Sequence, residues 1–355
     1  MTSRWMLTVP TVILLSACTE EPAGPVVGPP PPDIARAVYV FHEGNFGDPS
    51  GARLAIFDID RDTVFRDVVE AANGGEHLGS LGDDMAIEDS LAYFVMSGSE
   101  EVKVLRLSDH LLLRSVALPG STPHDILVDG ARRRAYVTRL YRSSVLVVDL
   151  ATLRAIDTID VGSNPQGMAL SGDRLFVCNS GYGSSNTVSV IDVTADSLIA
   201  TIQVADGPTQ AVSAPDGRLW VACTGNQFLD VPTPGRVAII NPTTLALEAT
   251  VDVGGNLLGP IAIDPAGYAY VIAAPPGSFF GGPVHRIALT NRVVTEAFLA
   301  GAFYALAVES ATGEVYVADV RAFQSDGELR RYTREGTLLR AVDVQRGPGT
   351  LRFRR

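Results

Sequence analysis

The chain has 355 residues, of which 40 are acidic and 28 basic, giving a net charge of −12 with Lys103 as the single lysine. No basic stripe exists to neutralise phosphates, so composition argues against nucleic acid and against charge-driven adhesion to an anionic membrane. Three cysteines and five histidines are too few and too scattered for a disulfide scaffold or a metal motif.

The first element is a leader. Arg4 gives it a positive start, and Met6 to Leu15 is mostly apolar but too short to span a bilayer as a helix. Leu15-Ser16-Ala17-Cys18 follows and resembles a bacterial lipobox, which implies cleavage after residue 17 and lipidation of Cys18. Two or three acyl chains hold a protein stably where one does not, so the expected state is anchored rather than spanning. Thr19 gives no inner-membrane retention signal, and Glu20-Glu21 resembles the surface-export signal of Bacteroidetes lipoproteins. The expected location is therefore the outer membrane, on the cell surface, with its periplasmic side as the alternative. Pro22 to Pro32 is rich in proline and glycine, cannot bury a core and favours a semi-rigid extended stalk. The expected organisation is a signal peptide over 1–17, a lipidated stalk over 18–36 and one folded unit over 37–355.

That unit repeats every forty-odd residues, a period that points to propeller blades. The clearest copy opens Thr122-Pro123-His124-Asp125, turns at Asp129-Gly130, and continues through Ala135-Tyr136-Val137-Thr138 and Val145-Leu146-Val147-Val148-Asp149. The next runs from Asn164-Pro165-Gln166-Gly167 through Leu175-Phe176-Val177-Cys178 to Val188-Ser189-Val190-Ile191-Asp192. Others open near Leu81, Pro208, Pro260 and Phe303. A seventh is split: Val38-Tyr39-Val40-Phe41 matches a second strand with no first strand before it, and Gly347 to Phe353 supplies a first strand at the other end. One C-terminal and three N-terminal strands would close an all-β, seven-bladed propeller of four-stranded blades. A parallel β-helix has shorter repeats and no use for split ends. Cys178 and Cys223, one residue out of register in adjacent repeats, are expected as buried free thiols.

Tyr136-Val137-Thr138 with Asp160-Val161-Gly162-Ser163-Asn164-Pro165 resembles the YVTN-type, YncE-like propeller family. Glu43-Gly44-Asn45-Phe46-Gly47, Ala72-Asn73-Gly74 and Asp83 to Ile87 resemble its Bacteroidetes surface-lipoprotein branch. Some members of that branch bind corrinoids and pass vitamin B12 to a TonB-dependent transporter. The resemblance implies such a ligand and such a partner here, but assigns no binding residue.

Strand alternation puts the loop before each first strand and the loop after each second strand on one face. On that face, six of seven repeats carry aromatics after the second strand: Phe46, Tyr141, Tyr182, Phe228, Phe279 with Phe280, and Phe323. The exception is Ser97-Gly98-Ser99-Glu100, and the companion loops add His124, Gln166, Gln210 and Tyr304 near the axis. Aromatics mixed with amides suit a flat, partly apolar ligand such as a corrin ring or a sugar face. Packing of the same aromatics beneath their own loops is the alternative. The opposite face holds tight turns and is expected to be structural.

Catalysis is not expected. His42, His77, His110, His124 and His285 lack metal-ligand spacing, and neither Cys-x-x-Cys-His nor G-x-S-x-G occurs. No cofactor is expected. Glu43, Asp84, His124 and Asn164 could be arranged as in propeller lactonases or lyases, which leaves a periplasmic hydrolase as one alternative. An adhesion module binding protein or glycan is the other.

Overall fold

The computed structural model describes residues 29–45, 47–48, 51–278 and 280–354. Seven four-stranded antiparallel sheets are arranged in a ring. Blade 1 joins Pro348–Arg354 to Ala37–His42, Arg53–Asp58 and Thr63–Phe65, with Val38 opposite Phe353 and Val40 opposite Leu351. The closing strand expected from the split repeat is therefore present. Blade 2 spans Gly82–Glu88 to Leu112–Ala117, blade 3 Pro123–Asp129 to Arg154–Asp160, and blade 4 Pro165–Ser171 to Ser197–Gln203. Blade 5 spans Pro208–Ser213 to Ala246–Asp252, blade 6 Asn256–Asp264 to Val294–Phe303, and blade 7 Ala305–Val308 to Leu338–Asp343. The first strand of each blade touches the first strands of both neighbours, so these seven strands surround the axis.

The core is a set of seven clusters, one between each pair of adjacent blades. The second strand of blade 4 shows why its sequence is continuously apolar. Leu175 and Val177 face blade 3 and pack with Tyr136 and Val145, while Phe176 and Cys178 face blade 5 and pack with Leu219 and Val221. Both faces of a middle strand are buried, so period-2 polarity disappears there. The fourth strands lie on the rim; Arg154–Asp160 is exposed at every position but one. Cys178 and Cys223 share the cluster between blades 4 and 5 as buried free thiols.

The recurring Val-x-Val-x-Asp motif also has a mechanical basis. Its terminal carboxylate accepts backbone N–H groups two or three residues on, which shapes the turn into the rim strand. Asp58 accepts from the Asp60 and Arg61 amides at 3.1 and 3.0 Å, and Asp192 accepts from Thr194 and Ala195 at 2.8 and 3.2 Å. Asn241 serves blade 5 in the same way, accepting from Thr243 and Thr244.

One short helix, Val68–Ala72, was not apparent from sequence periodicity. The end of the stalk packs against the ring. Pro31 and Ile34 are buried, Arg354 pairs with Asp33, and Arg36 holds Glu309 of blade 7 at 2.8 and 2.9 Å. Among the described residues, no helix is long and apolar enough to cross a membrane. Cys18 lies outside the described residues.

Candidate functional site: an axial chamber lined by strand bulges

Six of the seven axial strands are preceded by a residue in the left-handed region: Leu81, Thr122, Asn164, Gly207, Gly255 and Gly347. Proline follows directly in four of these blades, at 123, 165, 208 and 348. Just beyond, the pairing between first and second strands breaks register. The breaks fall at Gly82/Asp84, Pro123/Ile126, Pro165/Met168, Pro208/Gln210 and Leu258/Ala262, and opposite Phe41/His42 in blade 1. A bulge leaves residues without a ladder partner and re-aims their side chains. Here the displaced residues include Asp83, His124, Asp125, Gln166, Thr209 and Gly259, and all of them line one axial chamber of about 480 Å³. The bulged backbone is satisfied locally; the Asp125 amide, for example, donates to Thr138 Oγ1 at 3.0 Å.

Glu43, Asp84 and Arg352 complete the charged lining. His124 Nδ1 lies 3.1 Å from Asp83 Oδ1, and Arg352 Nη2 donates to Asp84 Oδ1 at 2.6 Å. The Ile126 amide donates to the other Asp84 oxygen at 3.2 Å. Burial pushes the Glu43 carboxyl up to about 7, helped by the nearby Asp83 charge and opposed by a hydrogen bond from the Tyr304 hydroxyl. Burial also drives Asp125 well above the usual carboxylate range, with the Asp84 charge adding to it. Burial alone would lower His124, yet its bond to Asp83 carries it above its ordinary value. Glycine makes room for two of these groups: a Cβ at Gly349 would overlap the Glu43 carboxylate, and one at Gly167 would overlap the Gln210 amide. Asp83 Oδ2 and Gln210 Oε1 are enclosed and have no hydrogen-bond donor.

Seven residues singled out from sequence meet in this chamber: Glu43, Asp84, His124, Gln166, Tyr182, Gln210 and Tyr304. The Tyr182 hydroxyl donates to Tyr141 at 2.8 Å with ring centroids 6.2 Å apart, so Tyr141, 64% exposed, extends the chamber wall outward. On the other side Tyr304 meets Phe323 edge-on at 5.5 Å, and Phe323 meets Phe280 at 6.3 Å. Tyr182 and Phe323 both adopt positive φ, a strained conformation that commonly marks functional loops. Phe228, 75% exposed on the 224–235 loop, does not line the chamber. Phe46 and Phe279 lie outside the described residues. Asn164 is not part of the chamber either; its amide is committed to the Leu140 carbonyl at 3.0 Å.

Asp83, Asp125 and Arg352 were missed as site residues. The signal for Asp83 and Asp125 was available as a position, one or two residues after a strand-opening Gly or Pro; Arg352, four residues after Pro348, has no such mark. Below the chamber a second cavity of about 660 Å³ shares Gln210 and Arg352, so the two residues sit where upper and lower axial spaces meet. Among the described residues, no three His, Cys, Asp or Glu groups are placed to hold a metal ion.

Comparison with known structures agrees on the fold. A quinoprotein alcohol dehydrogenase-like protein from Bacteroides thetaiotaomicron superposes with a TM-score of 0.69 at 15% identity, covering 90% of this chain and 78% of its own. A candidate 6-phosphogluconolactonase from Bacteroides fragilis gives 0.69 at 14% identity, covering 91% and 99%. Hydrazine synthase of Kuenenia stuttgartiensis gives 0.59 at 18% identity, covering 74% and 85%. At these identities the likeness is one of seven-bladed architecture. No curated protein matches the chain. A family model described only as a domain of unknown function, DUF5074, matches residues 36–337, and the chain belongs to that family.

Proposed function

We propose that this chain is a lipid-anchored capture protein that holds a small, hydrogen-bond-donor-rich molecule in its axial chamber. The observation that carries the reading is convergence: bulges from separate blades turn polar side chains into one axial space, where two acceptors have no protein donor. Convergent polar groups in a concave, partly aromatic cavity of this size are typical of ligand sites. The ligand supplies donors that the protein lacks.

A corrinoid remains the sharpest class, through the family resemblance. Its macrocycle would lie on the rim formed by Tyr182 and Tyr141 on one side and Tyr304, Phe323 and Phe280 on the other. Its peripheral carboxamides would donate to the carboxylates below. Delivery to a TonB-dependent transporter and display on the cell surface belong to the same proposal. The strand Ala37–His42 runs toward the chamber, so residues 29–36 join the ring on the opposite face. In a titration with cyanocobalamin, Tyr182→Ala should weaken binding about tenfold through lost stacking and packing, with melting unchanged. Unchanged affinity in a folded variant would remove the chamber from the binding site.

A hydrolase is the second reading, favoured by the Asp83–His124 pair beside the Glu43 carboxyl that titrates near neutrality. A phosphorylated lactone would be repelled by this cluster of carboxylates, so the substrate on that reading is a neutral lactone. Turnover of such a lactone, abolished in His124→Ala, would favour it over capture.

A further inference from the structure

We infer that the axial chamber contains a subsite for an organic cation, a primary ammonium group carried by the captured molecule. This rests on the chamber being the ligand site and is independent of the corrinoid class. Four carboxylates line the chamber, and two cationic partners face them: Asp83 pairs with His124 and Asp84 with Arg352. Glu43 and Asp125 are left over. Glu43 faces Asp83, His124 and the Tyr304 hydroxyl; Asp125 faces Asp84, His124, Arg352 and Gln210. Neither has a cation of its own.

Unbalanced buried carboxylates resolve the excess by keeping a proton or by accepting a cation. Burial displaces both groups upward, toward the protonated form. The orphaned acceptors add a second, geometric observation. Gln210 Oε1 and Asp83 Oδ2 are enclosed at the chamber wall without donors. An ammonium group brings three N–H donors and one positive charge, and so supplies what an excess carboxylate and a donorless acceptor each need. A hydroxyl brings a single donor and no charge.

Binding would expel protons from Glu43 and Asp125 into solvent as their carboxylates pair with the ammonium. The affinity for an amine therefore rises as pH passes upward through neutrality. The test is titration of the full-length chain with phenethylamine and its uncharged counterpart 2-phenylethanol, at pH 6 and pH 8, in two buffers of different ionisation enthalpy. The amine is expected to bind at least about tenfold tighter than the alcohol, more tightly at pH 8 than at pH 6, with protons released to the buffer. Glu43→Gln should lower amine affinity about tenfold and flatten the pH dependence, and Asp125→Asn provides a second variant should the first fold poorly. Equal affinity for amine and alcohol, or amine binding indifferent to both substitutions, would overturn the cation subsite. If cyanocobalamin binds and phenethylamine does not, the chamber stands as the ligand site and the cation reading falls. If none of the three binds, both fall.

Discussion

His124 carries opposing influences that can be separated by one substitution. Its enclosure disfavours the charged ring, and Asp83 at 3.1 Å more than compensates, leaving the group above its ordinary value. Asp83→Asn removes the compensation and keeps the burial. The His124 titration followed by NMR should then move below the ordinary histidine range, about 6.5. A titration that stays raised would show that Asp84 and Asp125, not Asp83, set the charge of this ring. His124, Gln166, Gln210 and Tyr304 were legible in the sequence because repeat alignment places them at the opening of the axial strands. Asp83, Asp125 and Arg352 were not, because charge alone does not distinguish a chamber residue from a turn residue such as Asp129, which instead accepts from Arg132. What separates them is local backbone: a positive-φ residue followed by a register break, and the pattern of turns in the sequence shows only part of that.

At the scale of elements, the turn between third and fourth strands depends on a single carboxylate. Asp58 is 1% exposed; burial alone would raise its pKa, but the hydrogen bonds from the Arg61 amide and guanidinium hold it below the ordinary value. A carboxylate whose folded pKa is depressed stabilises the fold above its unfolded pKa, about 3.9, and that contribution is lost as pH falls through the folded value. Asp58→Ala should cost about 1–3 kcal/mol, since it removes the charged acceptor of the Asp60 and Arg61 amides, with the difference from the parent shrinking in acid. Urea denaturation at pH 7 and pH 3 measures this; an equal difference at both would refute the charged-acceptor role. The Val-x-Val-x-Asp motif announced these turns, because the Asp recurs at one repeat position. The helix Val68–Ala72 was invisible, since five residues give barely one turn of periodicity. Phe228 shows the complementary limit: a loop aromatic identified by type and position alone proved exposed and away from the chamber.

At the scale of the whole molecule, ring closure fixes where everything else points. The strand Pro348–Arg354 completes blade 1 beside Ala37–His42, so the two ends of the folded region meet in one sheet. Glu43 at the end of one and Gly349 near the start of the other both enter the chamber. Asp33, Ile34 and Arg36 fasten the stalk to the far face through Arg354 and Glu309. The proposed anchor has its own test. Cys18→Ser should move the protein from the membrane to the soluble fraction, and continued sedimentation with membranes would refute lipidation at that residue.

The most direct measurement is isothermal titration of the chain from Pro29 onward with cyanocobalamin, run in parallel with the His124→Ala variant. The account predicts one-to-one binding that is strongly weakened by the substitution while the melting temperature holds. No heat and no shift in melting temperature on adding the corrinoid would contradict it.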